Sequence, residues 1–587
     1  MKTVLMQSVS ESAKKLEVNY IVWMFSVASI VLFILTIDSF SITELEPYGF
    51  YYFRALPAVY WAGLATSIAS VIVSVAFDSR KKNDARIIPI LLVGLFLYGT
   101  PVISYEVPRF TDVFAHGAES LPVISDGHID QADRYAREYP SSFILLGVSA
   151  IVQGLPPLAL IRYSELFTIL LVMALVYCIG RHYNPRFAAL APLSFMGAFW
   201  VDQGHYSPQG LALVFYLVFF LSMIKAVSGK QSRRGWLAIG LLALFATNIT
   251  SPTNAFFLLV NLVSIAAIAY IVLRKRNLVS NRAILLTAIA GVLFLSWSIY
   301  NAETRTVFKW EEFEQKLSDG FISGDIRVTP SPSESYSAVI TLRTVIVAAV
   351  VISGIVMSLV LLKRKQKSAY VLIIIGWFAT ASFIVISMYL SSVLLSRNFL
   401  YVSIAWSVLV AIFFAQNHFG RRDRIAKVAL FAFVVALLVS IPATRYGRDP
   451  TTYASPSLVN STEILAESSK GGERVISYFI GGLVSKYYAA ASDIRFDTLS
   501  FDRIFQTSFD ERNINLTKDW IQSQGTFNSR MIFSDPEQNN IAMKYNQPEL
   551  YDEIEDGVRE KNNLIINSGS TRVYSSTSSI SPAETRQ

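Results

Sequence analysis

The chain has 587 residues, of which 53% are apolar, 13% aromatic and only 16% charged, with a mean hydropathy of +0.43. So little charge over such a length excludes an ordinary soluble protein and points to a polytopic membrane protein. The formal net charge of +8 calls for no nucleic acid partner, because basic loops facing anionic membrane lipid account for much of the excess.

In chain order, apolar runs long enough to cross a hydrocarbon core of ~30 Å fall near 20–38, 56–77, 87–104, 159–180, 187–202, 208–227, 235–250, 252–273, 281–300, 338–362, 369–390, 399–416 and 426–444. They number about thirteen on that length criterion. The first ends in Asp38 and lacks a small-x-small cleavage pattern, so it reads as an uncleaved anchor. The run "SSFILLGVSAIVQGLPP" at 141–157 is short and ends in Pro-Pro, and reads as interfacial or re-entrant; a full span there would invert every later loop. Counted in alternate connections, Lys and Arg number 25 on one side and 9 on the other. Basic residues near span ends resist translocation, which places the amino terminus in the cytoplasm. An odd number of spans then puts the carboxy terminus outside the cell membrane. The single Cys178 falls in a span, so no intrachain disulfide forms.

The external connections carry the polar chemistry. After the third span, "RFTDVFAHG" supplies Arg109, Asp112 and His116, followed by Glu119, Asp126, His128 and Asp130. Asp112 lies close enough to the interface to meet a lipid-anchored substrate while touching an aqueous one. The loop therefore offers a general base and ligands for a divalent metal, against the ordinary alternative of solvated loop charges. Next, "WVDQGHYSPQG" at 200–210 carries Asp202, Gln203, His205 and Tyr206, and Ser207-Pro208 reads as an N-cap followed by a first-turn proline. "NITSPTN" at 248–254 repeats the device with Ser251-Pro252 and Asn254. Helix amino termini at this face suit a phosphate, with simple capping as the alternative. The connection 301–337, with Lys309, Trp310, Glu311 and Glu312, has the length of a lid or binding loop. In "LSRNFLYVSIAW", Arg397 begins an inward helix, placed either to grip a phosphate or to snorkel toward lipid headgroups. Only Arg162, Glu165 and Arg343 fall well inside spans, all near outer ends, which disfavours a pump with mid-membrane carboxylates.

From 446 onward the composition turns polar. Alternating short apolar segments, a candidate helix at 547–562 and the run "NLIINSGSTRVYSS" suggest a small extracytoplasmic α/β domain over 446–587, its tail disordered. Asn248, Asn460 and Asn515 begin N-x-S/T patterns on the expected outer side.

The Asp loop after an early span, "YPSSFILLG" at 139–147, "HYSPQGLALVFYLVFFL" and the late "RNFLY", together with "NLIINSGSTRVYSS", resemble integral-membrane glycosyltransferases of the GT-C superfamily, particularly archaeal members. The resemblance implies a GT-C-like polytopic α-helical fold and transfer of a sugar, with inversion, from a polyprenyl-phosphate carrier to a glycan, lipid or protein acceptor at the outer face. It assigns the base to Asp112 and the donor phosphate to Arg397. Arg109, His116, Glu119, Gln203, His205, Tyr206, Ser207 and Asn254 join them as candidate substrate-binding residues. Two additional spans precede the Asp loop, Asp112 is followed by Val113 rather than a second acid, and no WWDYG-like string occurs, which argues against an oligosaccharyltransferase. A divalent metal at Asp112, Asp202 and His205 requires the three to meet. The alternatives are a transporter or flippase for lipid-linked sugars or polysaccharide, and a membrane scaffold that recruits partners through its external domain.

Overall fold

The structure, a computed structural model, describes residues 2–42, 45–46, 48–77, 87–130, 134–201, 204–228, 233–273, 278–302, 332–364, 368–389, 395–416, 421–469, 474–477, 479–491, 495–498, 529–545, 548–560 and 562–575. The apolar runs fold as helices because a backbone in lipid must satisfy its own hydrogen bonds. In chain order these are α1 (Lys2–Ser39), a short α2 (Tyr51–Ala55), α3 (Ala58–Phe77), and α4 (Ile87–Gly94), which continues through a π turn at Leu95–Gly99 into α5 (Thr100–Ser104). Pro101 in the first turn of α5 cannot donate backward, which accounts for the widened turn just before it. Four short helices follow on one end of the bundle: α6 (Asp112–Ala118), α7 (Leu121–Ser125), α8 (Arg134–Glu138) and α9 (Ser141–Gln153). Then come α10 (Pro157–Tyr183), α11 (Leu190–Ala198), α12 (Pro208–Ser228), α13 (Arg233–Thr250), α14 (Pro252–Leu273), α15 (Leu278–Tyr300), α16 (Glu334–Lys363), α17 (Ala369–Tyr389), α18 (Leu395–Phe414) and α19 (Arg421–Thr444).

Seven stretches among the described residues are long and apolar enough to cross a membrane, and all seven overlap expected spans. Four shorter apolar helices, within α14, α15, α17 and α18, also fall where spans are expected. α9 is the exception that the sequence anticipates. Its 13 residues rise only ~20 Å, it ends at Gly154 in the left-handed conformation (φ 63°), and Ile144, Leu145, Val148, Ile151 and Val152 remain exposed along it. That is the character of a helix lying at an interface.

The expected span at 187–202 is different in form. Only Leu190–Ala198 is helical, and nine residues rise ~14 Å. The segment still connects the two ends of the bundle. Phe187 packs against Phe414 at 6.2 Å and under Lys427 at 5.9 Å, whereas the carbonyls of Phe199 and Val201 accept from Arg445 beyond the far end of α19. All nine helical residues are buried, with α18 and α19 packed against them. Enclosure by protein explains why helix can give way here: Tyr98 Oη and Arg445, rather than lipid, meet the released carbonyls.

Contacts sort the connections into two groups. At one end, Arg364 pairs with Asp423 at 2.8 Å, Tyr370 Oη donates to the Ile179 carbonyl at 2.8 Å, and Gln416 Nε2 donates to Tyr183 Oη at 2.8 Å. At the other, Trp297 Nε1 donates to the Glu138 carbonyl at 3.0 Å, Ser141 and Thr250 share a hydrogen bond of 2.9 Å, and Arg343 Nε donates to the Thr444 carbonyl at 2.6 Å. The first contacts join members of the Lys- and Arg-rich set of connections, and the second, at the loop-bearing end, join members of the other set.

Seated on that loop-bearing end is a small α/β unit: α20 (Pro456–Ser468), β1 (Arg474–Ser477), α21 (Phe479–Ala491), β2 (Arg495–Thr498), β3 (Ser529–Ser534), α22 (Asp535–Tyr545), α23 (Pro548–Arg559), β4 (Asn563–Asn567) and β5 (Thr571–Ser575). Its sheet order is β2-β1-β3-β5-β4, with β1 parallel to both β2 and β3, and β5 antiparallel to β3 and β4. The expected helix at 547–562 appears as α23, and residues 563–575 form the β4–β5 hairpin with Gly569 at φ 75° in its turn. A second hydrophobic cluster, including Phe114, Ile161, Leu458, Val484 and Ile532, joins this unit to α6 and α10.

Inside it, the fully buried Glu537 accepts from the Gly481 N–H at 2.9 Å and from Tyr551 Oη at 2.8 Å. Burial outweighs these donors and pushes its carboxyl up to about 7. The folded state therefore holds a proton that the unfolded chain releases at ordinary carboxylate pH, so stability falls as pH rises from the ordinary value toward 7 and levels off above it. Glu537→Gln should remove that slope and raise the melting temperature above pH 7, as read by thermal unfolding across pH 4.5–8.5.

Candidate active site

The stretch from Tyr105 to Asp112 leaves α5 and is fastened at nearly every residue. Tyr105 Oη donates to Asp449 Oδ2 at 2.7 Å, and its carbonyl accepts from Arg162 Nη2 at 2.7 Å. Arg109 forks onto Glu165 through Nε and Nη2, at 3.2 and 3.0 Å, and reaches Asp449 Oδ1 through Nη1 at 2.6 Å. Phe110 stacks on the His205 ring at 4.4 Å and 13°. The Thr111 N–H donates to the Thr452 carbonyl at 3.1 Å. Asp112 then opens α6 as its first residue.

Glu165 is also gripped by Arg445, whose side chain is fully buried and whose second terminal nitrogen bonds the Val201 carbonyl. Aromatic faces surround the guanidiniums: Arg109 lies 4.9 Å from the Tyr446 ring, Arg445 4.8 Å from Phe199, and Arg343 4.8 Å from Trp200. Such faces supply negative potential that eases desolvation of a cation. The layer ties α10, the segment after α19, the broken span and the Asp loop into one body.

α6 turns Val113, Phe114, Gly117 and Ala118 inward, and a Cβ added at Gly117 would sit 3.0 Å from Tyr487 on α21. Asp112 and His116, one turn apart, are each half-buried. Among the described residues Asp112 has no ion pair or hydrogen bond to its carboxylate, so its oxygens are available to a substrate. Glu119 is buried and its Oε1 pairs with Lys486 of α21 at 3.0 Å. His116 lies beside Tyr135 and Phe143, with ring centroids at 6.4 and 5.9 Å.

The remaining candidates are largely engaged in holding the structure. Ser207 Oγ accepts from the Gly210 N–H at 3.0 Å, the expected N-cap of α12. Tyr206 Oη donates to the Ser142 carbonyl, fastening α9 to the bundle. Asn254, fully buried, accepts from Ser251 Oγ at 3.1 Å and donates to the Gln209 carbonyl at 3.4 Å, joining the starts of α12 and α14. Arg109, expected to touch substrate, is held by Glu165 and Asp449. Arg109, Phe110, Arg162, Glu165 and His205 line a void of only about 10 Å³, about room for one water. Gln203, Asp202 and the lid residues Lys309–Glu312 lie outside the described residues, as does the side chain of Arg397, although α18 carries its backbone. Among the described residues no group of three or more His, Cys, Asp or Glu is arranged to hold a metal; the set Asp112, Asp202 and His205 contains a residue outside them.

Arg445 and Asp449 are absent from the expectations. The run "TRYGRDP" straight after the last span was their signal: two Arg and one Asp at a helix exit need partners if they stay buried.

These features define a multi-pass helical membrane protein with an α/β unit on one face and a fastened acidic loop between them. No protein-family model matches the sequence, and no curated protein matches it. Among solved structures it is similar to ArnT from Cupriavidus metallidurans in the apo state, at 10% identity and TM-score 0.49, over 88% of this chain and 98% of that one. The same enzyme bound to undecaprenyl phosphate aligns at 12% identity and TM-score 0.47, over 89% and 99%. The archaeal oligosaccharyltransferase AglB from Archaeoglobus fulgidus, in complex with an inhibitory peptide and a dolichol-phosphate, aligns at 11% identity and TM-score 0.48, over 85% and 74%.

Removing one member of a buried ionic network leaves the others charged and unpaired, at a cost of about 3–5 kcal/mol. Glu165→Gln should therefore lower the melting temperature of the detergent-solubilised protein markedly. An unchanged melting temperature would show that this layer does not hold the loop.

Proposed function

We propose that the protein is a GT-C-type inverting glycosyltransferase that moves a sugar from a polyprenyl-phosphate carrier to an acceptor hydroxyl at the extracytoplasmic face. The observation that carries this reading is Asp112: a half-exposed carboxylate with no partner among the described residues, on a loop that buried ionic contacts fasten at the end of the bundle. A base needs a fixed position and a free lone pair, and this residue has both. The bias of Lys and Arg toward the opposite end supports the outer location.

A sugar tethered through phosphate to a long isoprenoid stays at headgroup level, because each buried CH₂ contributes ~0.8 kcal/mol to anchoring. Asp112 takes the proton of the acceptor hydroxyl as its oxygen attacks the anomeric carbon from the side opposite the phosphate. The bond from that carbon to the phosphate oxygen breaks, and its electron pair leaves with the polyprenyl phosphate. The proton then passes from Asp112 to solvent. Arg397 would receive the growing charge on the departing phosphate. Within the buried layer itself, Arg109, Arg162, Arg343 and Arg445 outnumber Glu165 and Asp449.

Asp112→Asn should leave the melting temperature unchanged and reduce sugar transfer about 10²–10⁴-fold, measured in membranes supplied with a polyprenyl-phosphate sugar; full activity would remove the proposed base. Arg397→Ala should cost about 10²–10³-fold in kcat, with Arg397→Lys recovering part of it because the charge returns without the bidentate fork.

A further inference from the structure

A second cavity lies on the loop-bearing end, and Asp112 is not among its walls. It is a cleft of about 430 Å³ between the connection that leaves α1 and the start of α22. Its polar side chains are two carboxylates, two amides and five hydroxyls. Glu46 is exposed on one wall. Asp535 stands on the other, and its Oδ1 also accepts from Arg572 at 3.1 Å. Gln538 and Asn539 line the same wall and each commits one N–H of its NH₂ group, to Asp552 Oδ1 at 2.8 Å and to the carbonyl of Leu45, also on the cleft, at 3.0 Å. Each amide oxygen thus remains an acceptor. The half-buried Tyr51 brings an aromatic ring to the lining, while Tyr453 is buried behind it against Tyr105.

No Lys or Arg is among the described residues lining the cleft, so nothing in its walls neutralises a phosphate or carboxylate, and desolvating an anion beside Glu46 and Asp535 would be costly. A divalent cation is poorly served as well, since one of the two carboxylates is already paired and a hard cation wants six or more oxygens. Carboxylates, amides and hydroxyls beside an aromatic ring suit a ligand that is uncharged, rich in hydroxyls and able to lay a C–H face on that ring. The volume falls in the range of small-ligand sites.

The cleft also shares a wall with the site at Asp112. Pro450, Tyr453 and Ser455 line it, while their chain neighbours hold the acidic loop: Asp449 binds Arg109 and Tyr105, and the Thr452 carbonyl accepts from Thr111. Tyr453 in turn packs on Tyr105 with ring centroids 4.8 Å apart.

We infer that this cleft binds a neutral saccharide, and that in the transfer reaction it seats part of a neutral acceptor glycan. Only the second clause rests on the proposed function; binding itself does not require transfer.

The test uses the full chain in nanodiscs, titrated with methyl glycosides of glucose, galactose, mannose and N-acetylglucosamine to the tens-of-millimolar range, with glucuronate as the anionic control. The expected result is saturable binding of at least one neutral glycoside, about tenfold weaker in Ser41→Trp, which fills the cleft from an exposed position, and several-fold weaker in Glu46→Gln. Asp112→Asn should bind as the parent does, and glucuronate should not compete. Failure of every neutral glycoside to bind would overturn the inference, as would binding that survives both Ser41→Trp and Glu46→Gln, binding lost in Asp112→Asn, or preference for glucuronate. Loss of transfer activity without loss of binding in Asp112→Asn separates the two proposals.

Discussion

The buried contact between Glu165 and two guanidiniums, Arg109 and Arg445, is the constraint on which the loop-bearing end depends. Charges in this position are expensive to desolvate, and the cost is met only because each finds a partner of fixed geometry: a fork from Arg109, a second acid in Asp449, backbone carbonyls for Arg445 and aromatic faces around all of them. Each member comes from a different element. The contact can therefore form only when α10, the exit of α19, the broken span and the Asp loop are all in place, so it specifies their arrangement more than it adds stability.

Around this layer the division of labour is clear. The lipid-facing perimeter is apolar and exposed, as at Val152, Phe167, Leu242 and Val428, while polar contacts gather at the two ends. Hydroxyls inside the spans mostly donate to the carbonyl one turn back, as Ser26, Thr36 and Thr247 do. The α/β unit meets the bundle through α21 on α6 and through α22 on the segment after α19, where Asn540 Nδ2 donates to the Thr451 carbonyl at 2.6 Å. The acidic loop thus lies between a rigid helical base and a soluble cap, and both position its carboxylate. The polar cleft beside it is framed by the same cap and by the connection after α1, the first of the three spans that precede the loop.

Much of the site was legible only in part. Ser207 and Asn254 stood out as helix-start residues because the Ser-Pro pattern has a local cause, and they are such residues; their partners within the bundle were the part that spacing cannot reveal. Arg109 stood out because it is charged beside an apolar run. Its engagement with residues 56 and 340 positions away could not be read from that neighbourhood. The span at 187–202 was recognised from its apolar length, yet its helix is confined to nine residues because neighbours enclose it and satisfy its carbonyls, a condition external to the segment.

What the sequence determined by itself was the class of protein, the positions of its apolar helices, the shortness of the helix at 141–153 and the α/β character of the end of the chain. Each follows from local quantities: apolar length against bilayer thickness and the period of short apolar runs. The tertiary structure alone decided which charges pair, which of the conspicuous polar residues keep a free face, and where the chain leaves an open cleft. Those depend on distances between elements far apart in the chain, and no local pattern encodes them.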